Sequence, residues 1–233
     1  MAQGGAQITW LGHAAFRIRS PRGKVIYVDP WLDNPKCPEG EKSVEQADVV
    51  LVTHGHFDHL GNAVDIAKKT SAKVVCNFEI SVWLGSQGVE SAVGMNKGGT
   101  LDLDGIKVTM VHAEHSSGIS DGDRIVDGGT AGGFVVELED GLKLYHAGDT
   151  TVFGDMRLIG ELYGPELALL PIGGFYTMGP REAAAAVRLL GVKRVIPMHY
   201  GTFPALAGTP DELRELLRGH QAEIVVMQPG ETR

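Results

Sequence analysis

The segment from Asp48 to His59 reads Asp-Val-Val-Leu-Val-Thr-His-Gly-His-Phe-Asp-His. Its first half is a nearly continuous apolar run, as expected for a strand buried on both faces. Its second half places four side chains that can bind a metal within six residues, at His54, His56, Asp58 and His59. On an extended segment, His54 and His56 point the same way, whereas Asp58 and His59 lie where the chain turns into a helix and diverge from that pair. This arrangement suits two neighbouring metal sites better than one.

Strand and helix patterns alternate on both sides of this segment. Apolar runs bounded by turn signals predict strands at 7–10, 15–19, 25–29, 48–53, 73–76, 101–103, 106–111, 134–138, 142–146, 167–171, 193–197 and 223–227. Apolar spacing and helix-start signals predict helices at 62–69, 78–87, 180–190 and 209–218. The mixture of β-hairpins and βα units predicts a layered α/β architecture. Since no linker or low-complexity stretch interrupts the chain, we expect one domain over residues 1–233.

Three more residues of the metal-binding type stand alone, each just after a predicted strand. They are His115, Asp149 and His199. In layered α/β proteins, ligands gather outside the carboxyl ends of the strands. Each of the three is a weak signal by itself, but with the histidine-rich segment they form a coherent set of seven ligands.

Composition narrows the classes of function. The chain has 233 residues, a net charge of -8 and two cysteines, Cys37 and Cys76, which are too few for a disulfide scaffold. The acidic balance argues against a nucleic-acid partner. No apolar run is long enough to span a bilayer and the start shows no signal-peptide pattern, so we expect a cytoplasmic protein without a membrane partner. A homo-oligomer is compatible with the sequence.

These motifs resemble those of the metallo-β-lactamase superfamily. The resemblance rests on Thr-His-x-His-x-Asp-His ending at His59, the lone His115, Gly-Asp-Thr at 148–150 and the late His199. The runs at 10–14 and 171–180 resemble a narrower branch, the small metal-dependent hydrolases related to ascorbate-6-phosphate lactonases. The resemblance implies a four-layer αβ/βα sandwich with two mixed sheets, and metals in the cleft between them.

The resemblance also implies a division of the ligands. One divalent ion would be held by His54, His56 and His115, and the second by Asp58, His59 and His199, with Asp149 as a bridge. Such a nitrogen and oxygen donor set favours Zn²⁺, with Mn²⁺, Fe²⁺ and Ni²⁺ also compatible. The oxygen-reducing diiron branch usually has a glutamate at the position equivalent to His56, so the resemblance favours hydrolysis over redox chemistry.

Other polar residues leave alternatives open. His112 competes with His115 as the ligand, and we favour His115 because it lies at the mouth of the loop. His13 is either a ligand-supporting or substrate-contacting residue, or an ordinary turn histidine. His146 is a core or ligand-supporting histidine. Asp29 either orients a ligand or caps a strand.

The predicted chemistry is hydrolysis at a dinuclear centre. Two adjacent cations lower the pKa of a shared water, and the resulting bridging hydroxide would attack a small-molecule ester, lactone, amide or phosphoester. Asp58 is also the candidate catalytic residue, as a proton acceptor or relay. The alternatives are a phosphodiesterase or nuclease of the same superfamily, a thioester hydrolase resembling glyoxalase II, and a metal-binding module without catalysis.

The surroundings of this centre are less specified. The long loop at 116–133 predicts a lid over the cleft, where Ser116 could contact the substrate. Arg124 in that loop either binds an anionic group or is solvated. Tyr176 and Thr202 lie in loops that we expect to face the cleft, or are structural.

Overall fold

The computed structural model describes residues 5–233. Its strands are β1 (Gln7–Trp10), β2 (Phe16–Arg19), β3 (Val25–Val28), β4 (Val49–Leu51), β5 (Lys73–Asn77), β6 (Ala92–Met95), β7 (Thr100–Leu103), β8 (Ile106–His112), β9 (Ile119–Asp121), β10 (Arg124–Val126), β11 (Gly132–Glu137), β12 (Lys143–His146), β13 (Leu167–Pro171), β14 (Arg194–Met198) and β15 (Glu223–Ile224). Its α-helices are α1 (Phe57–Leu60), α2 (Ala63–Thr70), α3 (Phe78–Ser86), α4 (Met156–Tyr163), α5 (Pro180–Leu190) and α6 (Pro210–Leu216).

The strands form two mixed sheets. The first has six strands in the order β1-β2-β3-β4-β5-β6, and the second has seven in the order β15-β14-β13-β12-β11-β8-β7. In the first sheet β1 to β3 pair antiparallel and β3 to β6 pair parallel. In the second, β12 to β15 are parallel, while β11, β8 and β7 are antiparallel.

The alternation of side chains in β3 shows how the layers arise. Ile26 and Val28 point into the core between the two sheets, whereas Val25 and Tyr27 pack beneath the helices α1 to α3. A third apolar cluster joins the outer face of the second sheet to α4, α5 and α6. The layers therefore run helix, sheet, sheet, helix, and the predicted four-layer αβ/βα sandwich is confirmed.

Several element boundaries differ from the sequence prediction. The strand β6 and the helices α1 and α4 were not predicted, and the loop at 116–133 contains the hairpin β9–β10, which was also not predicted. The last strand ends at Ile224 rather than 227, and α6 ends at Leu216 rather than 218. β3 ends one residue before Asp29, because Asp29 takes a left-handed backbone conformation with φ 47°.

Within residues 5–233, none of the helices has the length and apolar character that a membrane crossing requires.

Candidate metal centre

The two sheets place ligand-type side chains at one edge of the sandwich. The segments that follow β4, β8, β12 and β14 carry the residues that the sequence predicted as ligands, with Asp58 and His59 on the short helix α1 and the others in loops. The structure brings all seven into one cluster: His54, His56, Asp58, His59, His115, Asp149 and His199. They come from both sheets, so the centre exists only when the two halves of the sandwich are packed together.

One group in the cluster consists of His54, His56 and His115, which can offer nitrogens to a common ion. His54 Nε2 and His56 Nδ1 are 3.1 Å apart. Two nitrogens on one tetrahedral ion, each bonded at about 2.0–2.1 Å, lie roughly 3.3 Å apart. The three rings are arranged edge to face, with ring centroids 4.6–5.1 Å apart.

A second group contains Asp58, His59 and His199, and Asp149 lies between the two groups. Asp149 Oδ2 is 3.1 Å from His199 Nε2 and 3.2 Å from His59 Nε2. The same oxygen also approaches two histidines of the first group, at 3.6 Å from His115 Nε2 and 4.0 Å from His54 Nε2. One carboxylate oxygen therefore faces both groups, which is the position of a bridging ligand.

Asp29 fixes the proton positions of two of these histidines. Its carboxylate accepts hydrogen bonds from Thr53 N (2.8 Å), Thr53 Oγ1 (2.7 Å) and His59 Nδ1 (2.7 Å). Since the Thr53 hydroxyl gives its one proton to Asp29, it accepts from His54 Nδ1 at 3.0 Å. Both His54 and His59 therefore carry a proton on Nδ1 and turn Nε2 into the cluster, where it can bind a metal once it is unprotonated. These contacts support the first of the two alternatives that the sequence left open, in which Asp29 orients a ligand.

His13 contacts the second group from its buried side, through Asp58. It is fully buried, its Nε2 lies 3.0 Å from Asp58 Oδ2, and its Nδ1 lies 3.0 Å from Thr202 Oγ1. Burial lowers the pKa of His13 to about 4 despite the bond to Asp58, so the ring is neutral at pH 7. A neutral ring beside an ionised carboxylate donates from Nε2, and Nδ1 accepts from the Thr202 hydroxyl. His13 therefore supports Asp58 and is inaccessible to a substrate. Of the alternatives that the sequence left open for His13, the contact with Asp58 supports the ligand-supporting one. The signal in the sequence was its position after a strand and a glycine.

Two other histidines lie outside the cluster. His112 Nε2 is 3.3 Å from Glu114 Oε2 and its Nδ1 is 3.3 Å from Lys97 Nζ, on the side away from the ligands. This supports the choice of His115 over His112. His146 is buried, donates from Nε2 to a backbone carbonyl and accepts the amide of Gly148 at 3.1 Å. It therefore shapes the turn that presents Asp149.

The charges of the second group are strongly coupled. Burial opposes protonation of His59, but the carboxylates of Asp149 and Asp29 outweigh it and raise the pKa of His59 well above its usual value. His199 is also buried, and Asp149 raises its pKa to about 9. Burial would raise the pKa of Asp149, yet His199 and His59 hold it well below the usual range. In the absence of metal these histidines hold protons, so metal binding releases them.

The buried polar atoms of the cluster fit a metal centre. Among residues 5–233, those that are buried without a hydrogen-bond partner include His59 Nε2, Asp149 Oδ1 and both ring nitrogens of His199. An unpaired buried polar group costs about 1–3 kcal/mol, and such groups are rare in folded proteins. Metal ligation is the arrangement that satisfies several of them at once.

Comparison with known proteins agrees with this geometry. A family model described as the beta-lactamase superfamily domain matches residues 24–200. The chain belongs to the beta-lactamase superfamily. It is 58% identical to a UPF0173 metal-dependent hydrolase of Rubrobacter xylanophilus over 98% of this chain and 96% of that protein. It is 55% identical to one from Koribacter versatilis, over 98% of this chain and 97% of the relative.

A solved structure leads to the same conclusion. Igni18, a metallo hydrolase from the archaeon Ignicoccus hospitalis, superposes with a TM-score of 0.88 at 38% identity, covering 98% of this chain and 97% of Igni18. The predicted superfamily is confirmed, and the protein is a metal-dependent hydrolase.

The cleft of this hydrolase opens above the cluster and has a volume of about 970 Å³. Its floor carries four of the predicted ligand residues, His56, Asp58, His115 and Asp149. Its walls are mainly apolar and are built from Phe57, Ile125, Tyr176, Phe203, Pro204 and Ala205. Of the two loop residues expected to face the cleft, Tyr176 lines it, whereas the Thr202 hydroxyl is bonded to His13.

The hairpin β9–β10 forms one wall of the hydrolase cleft, within the loop predicted as a lid. Ser120 and Ile125 pair across the two strands and both line the cleft. The base of the hairpin is tied to the ligand segment, because Ser117 Oγ accepts the amide of Gly55 at 3.0 Å. Ser116 Oγ lies 3.2 Å from His56 Nε2 and also faces the cleft.

Proposed function

We propose that this hydrolase uses two divalent metal ions to cleave an ester, lactone, amide or phosphoester bond of a small molecule. The observation that carries the proposal is the position of Asp149 Oδ2, which lies within 3.1–4.0 Å of ring nitrogens from both ligand groups. A mononuclear site would not need a carboxylate oxygen that faces four histidines from two separate groups.

We assign the residues to the two ions as the resemblance implied. His54, His56 and His115 would hold one ion, and Asp58, His59 and His199 the other, with Asp149 shared. When bound, such ions supply Lewis acidity and lower the pKa of water in the site.

Asp58 is the residue that we assign to proton movement. It lines the cleft, and 13% of its side chain is exposed, whereas its Oδ2 is bonded to His13 on the buried side. Burial would raise its pKa, but the hydrogen bond from His13 and the nearby rings of His199 and His59 keep it well below the usual range, so Asp58 is ionised at neutral pH. An ionised carboxylate at the floor of the cleft would accept a hydrogen bond from an attacking water and relay its proton to solvent through the oxygen that is not bonded to His13.

Three finer points belong to the same proposal. Zinc is the metal we propose, since the donors are imidazole nitrogens and carboxylate oxygens. A cytoplasmic location is supported by Cys37 and Cys76, which are buried free thiols. Phosphodiesters and nucleic acids are the less favoured substrates, because no lysine or arginine among residues 5–233 lines the cleft.

Metal analysis of a matched pair of variants tests the dinuclear centre. After loading with Zn²⁺ and removal of excess, the wild type and His112→Asn are expected to retain two ions per chain, and His115→Asn about one. Retention of both ions by His115→Asn, or loss of one by His112→Asn, would contradict the ligand assignment.

A panel of lactone, thioester, amide and phosphodiester reporters then tests activity. Hydrolysis that is lost on chelation and restored by Zn²⁺ is the expected result. Two bound ions with no turnover of any reporter would favour the metal-binding module without catalysis.

A further inference from the structure

The walls of the cleft differ in character from its floor. The floor holds the ligand groups Asp58 and Asp149 and the histidines, whereas the walls present aromatic rings and aliphatic side chains. The polar wall groups are neutral hydroxyls, such as those of Ser116 and Ser120. A substrate reaching from the metal centre into the cleft would therefore meet apolar surface and neutral hydrogen-bonding groups.

The cation nearest in sequence to the cleft wall is turned away from it. Arg124 lies on β10 next to Ile125, and successive side chains on a strand point to opposite faces. Ile125 and its cross-strand partner Ser120 line the cleft, so Arg124 and its partner Asp121 lie on the other face of the hairpin. The suggestion that Arg124 binds an anionic group of the substrate is therefore not supported by the register.

The size and exposure of the walls indicate contact with a substrate body. Ile125 is 75% exposed at the rim, and Phe57 and Tyr176 are more than half exposed. Trp31 packs behind this rim, with its ring 5.5 Å from Phe57 and 5.8 Å from Phe203. A volume near 970 Å³ is at the upper end of the range for drug-sized ligands.

We propose that the substrate has an uncharged, apolar body and carries no anionic group outside the bond that is attacked. This inference rests on the proposed function, because it takes the metal centre as the site of the attacked group. A second anionic group, such as a remote phosphate or carboxylate, would be placed against apolar walls with no cation to pair with it, in a protein of net charge -8.

Binding of two hydroxamic acids that share the same metal-binding group tests this. Octanohydroxamic acid has a neutral tail, and suberic acid monohydroxamate ends in a carboxylate. By calorimetry on the Zn²⁺-loaded protein, with intrinsic tryptophan fluorescence as a second readout, the neutral compound is expected to bind at least tenfold more tightly. Equal affinity, or tighter binding of the carboxylate, overturns the inference while leaving the metal centre intact. If neither compound binds to metal-loaded protein, the inference and the proposed function both fail.

Variants of the hairpin locate the effect in the cleft wall. Ile125→Lys is expected to improve binding of the carboxylate compound at least threefold relative to Ile125→Met. Methionine is an unbranched side chain of nearly the length of lysine, but it carries no charge. Arg124→Ala is expected to leave the ratio of the two affinities unchanged within twofold. If Arg124→Ala weakens the carboxylate compound selectively, Arg124 reaches the substrate and the inference is wrong.

Discussion

Replacing Asp29 with asparagine isolates the part that a buried carboxylate plays in preparing the metal ligands. Asp29 is fully buried, lies outside the ligand set and accepts three hydrogen bonds, two from Thr53 and one from His59. Asparagine has nearly the same shape but presents one oxygen and one NH₂ group. If the oxygen stays opposite Thr53 N, the NH₂ group faces two donors, Thr53 Oγ1–H and His59 Nδ1–H.

The expected losses of stability and of metal affinity follow from those contacts. Two charge-assisted hydrogen bonds, at about 1.5–3 kcal/mol each, set an upper limit of roughly 3–6 kcal/mol. Rotation of the Thr53 hydroxyl recovers part of this, so we expect Asp29→Asn to lower the free energy of unfolding by about 2–3 kcal/mol. His59 relieves the remaining conflict by moving its proton to Nε2, the nitrogen that faces Asp149. That tautomer cannot bind metal through Nε2, and we expect affinity for the second ion to fall about 10–100-fold.

The assay is competition for Zn²⁺ with a chromogenic chelator, combined with urea unfolding of the metal-free protein. Asp65→Asn, an exposed position on α2, makes the same change of charge without these bonds and is the control. Nitrogen-15 chemical shifts of the histidine rings report the tautomer of His59 directly. Wild-type affinity for both ions in Asp29→Asn, with His59 still protonated on Nδ1, would refute the orienting role of Asp29.

Two further changes probe the neighbouring contacts. Thr53→Val removes the hydroxyl that accepts from His54 Nδ1, so affinity for the first ion should fall about tenfold. Thr53→Ser keeps the hydroxyl and should retain most of that affinity. Equal losses of affinity in both variants would show that packing and not the hydroxyl is responsible. Ser117→Ala leaves the buried amide of Gly55 without its acceptor and should lower the unfolding free energy, measured by urea titration, by about 1–3 kcal/mol. Ser120→Ala, at an exposed position of the hairpin, should change the unfolding free energy by less than about 0.5 kcal/mol. Similar losses in the two variants would argue against a stabilising hydrogen bond between Ser117 and Gly55.

The elements predicted from sequence are those with a strong local pattern. The run Val49–Leu51 is buried on both faces of the central part of its sheet, and α5 begins with Pro180 and ends before Gly191 in a left-handed conformation. Each of these signals lies within a dozen residues, so no knowledge of the packed structure is needed to interpret it.

Two of the elements that sequence reasoning missed, α4 and β6, share a different feature, a glycine inside the element. In α4, a Cβ at Gly160 would lie 2.3 Å from the carbonyl oxygen of Leu190 at the end of α5. In β6, a Cβ at Gly94 would lie 2.3 Å from Ser81 Oγ on α3. Glycine lowers the propensity for helix and strand, so the local pattern argues against an element. The close packing that requires glycine is visible only in three dimensions.

The candidate site shows the same division between local and global information. The spacing at His54–His59 and the positions of single ligands after strands were enough to nominate seven residues, and the structure places these residues together. The role of His13 was not decided by sequence, because it depends on Asp58 and Thr202, which lie 45 and 189 residues away. The register that turns Arg124 away from the cleft is likewise a property of the folded hairpin.

The backbone at the centre indicates why its geometry depends on the assembled sandwich. His13, Asp29 and His199 are buried and all have positive φ, at 53°, 47° and 56°. For residues other than glycine this conformation costs about 1–2 kcal/mol each, and it persists only where surrounding contacts fix it. The amide of His199 donates to the carbonyl of His13 at 3.0 Å, which joins the loop after β14 in the second sheet to the loop after β1 in the first. The amide of Asp29 donates to Leu51 in the neighbouring strand at 2.9 Å. The His199–His13 bond forms only once both sheets are packed, whereas the Asp29–Leu51 bond belongs to the first sheet. The strained loops after β1 and β14 are therefore stabilised by the packing of the two sheets against each other. Metal bound by ligands from both sheets would add a further link across the same boundary.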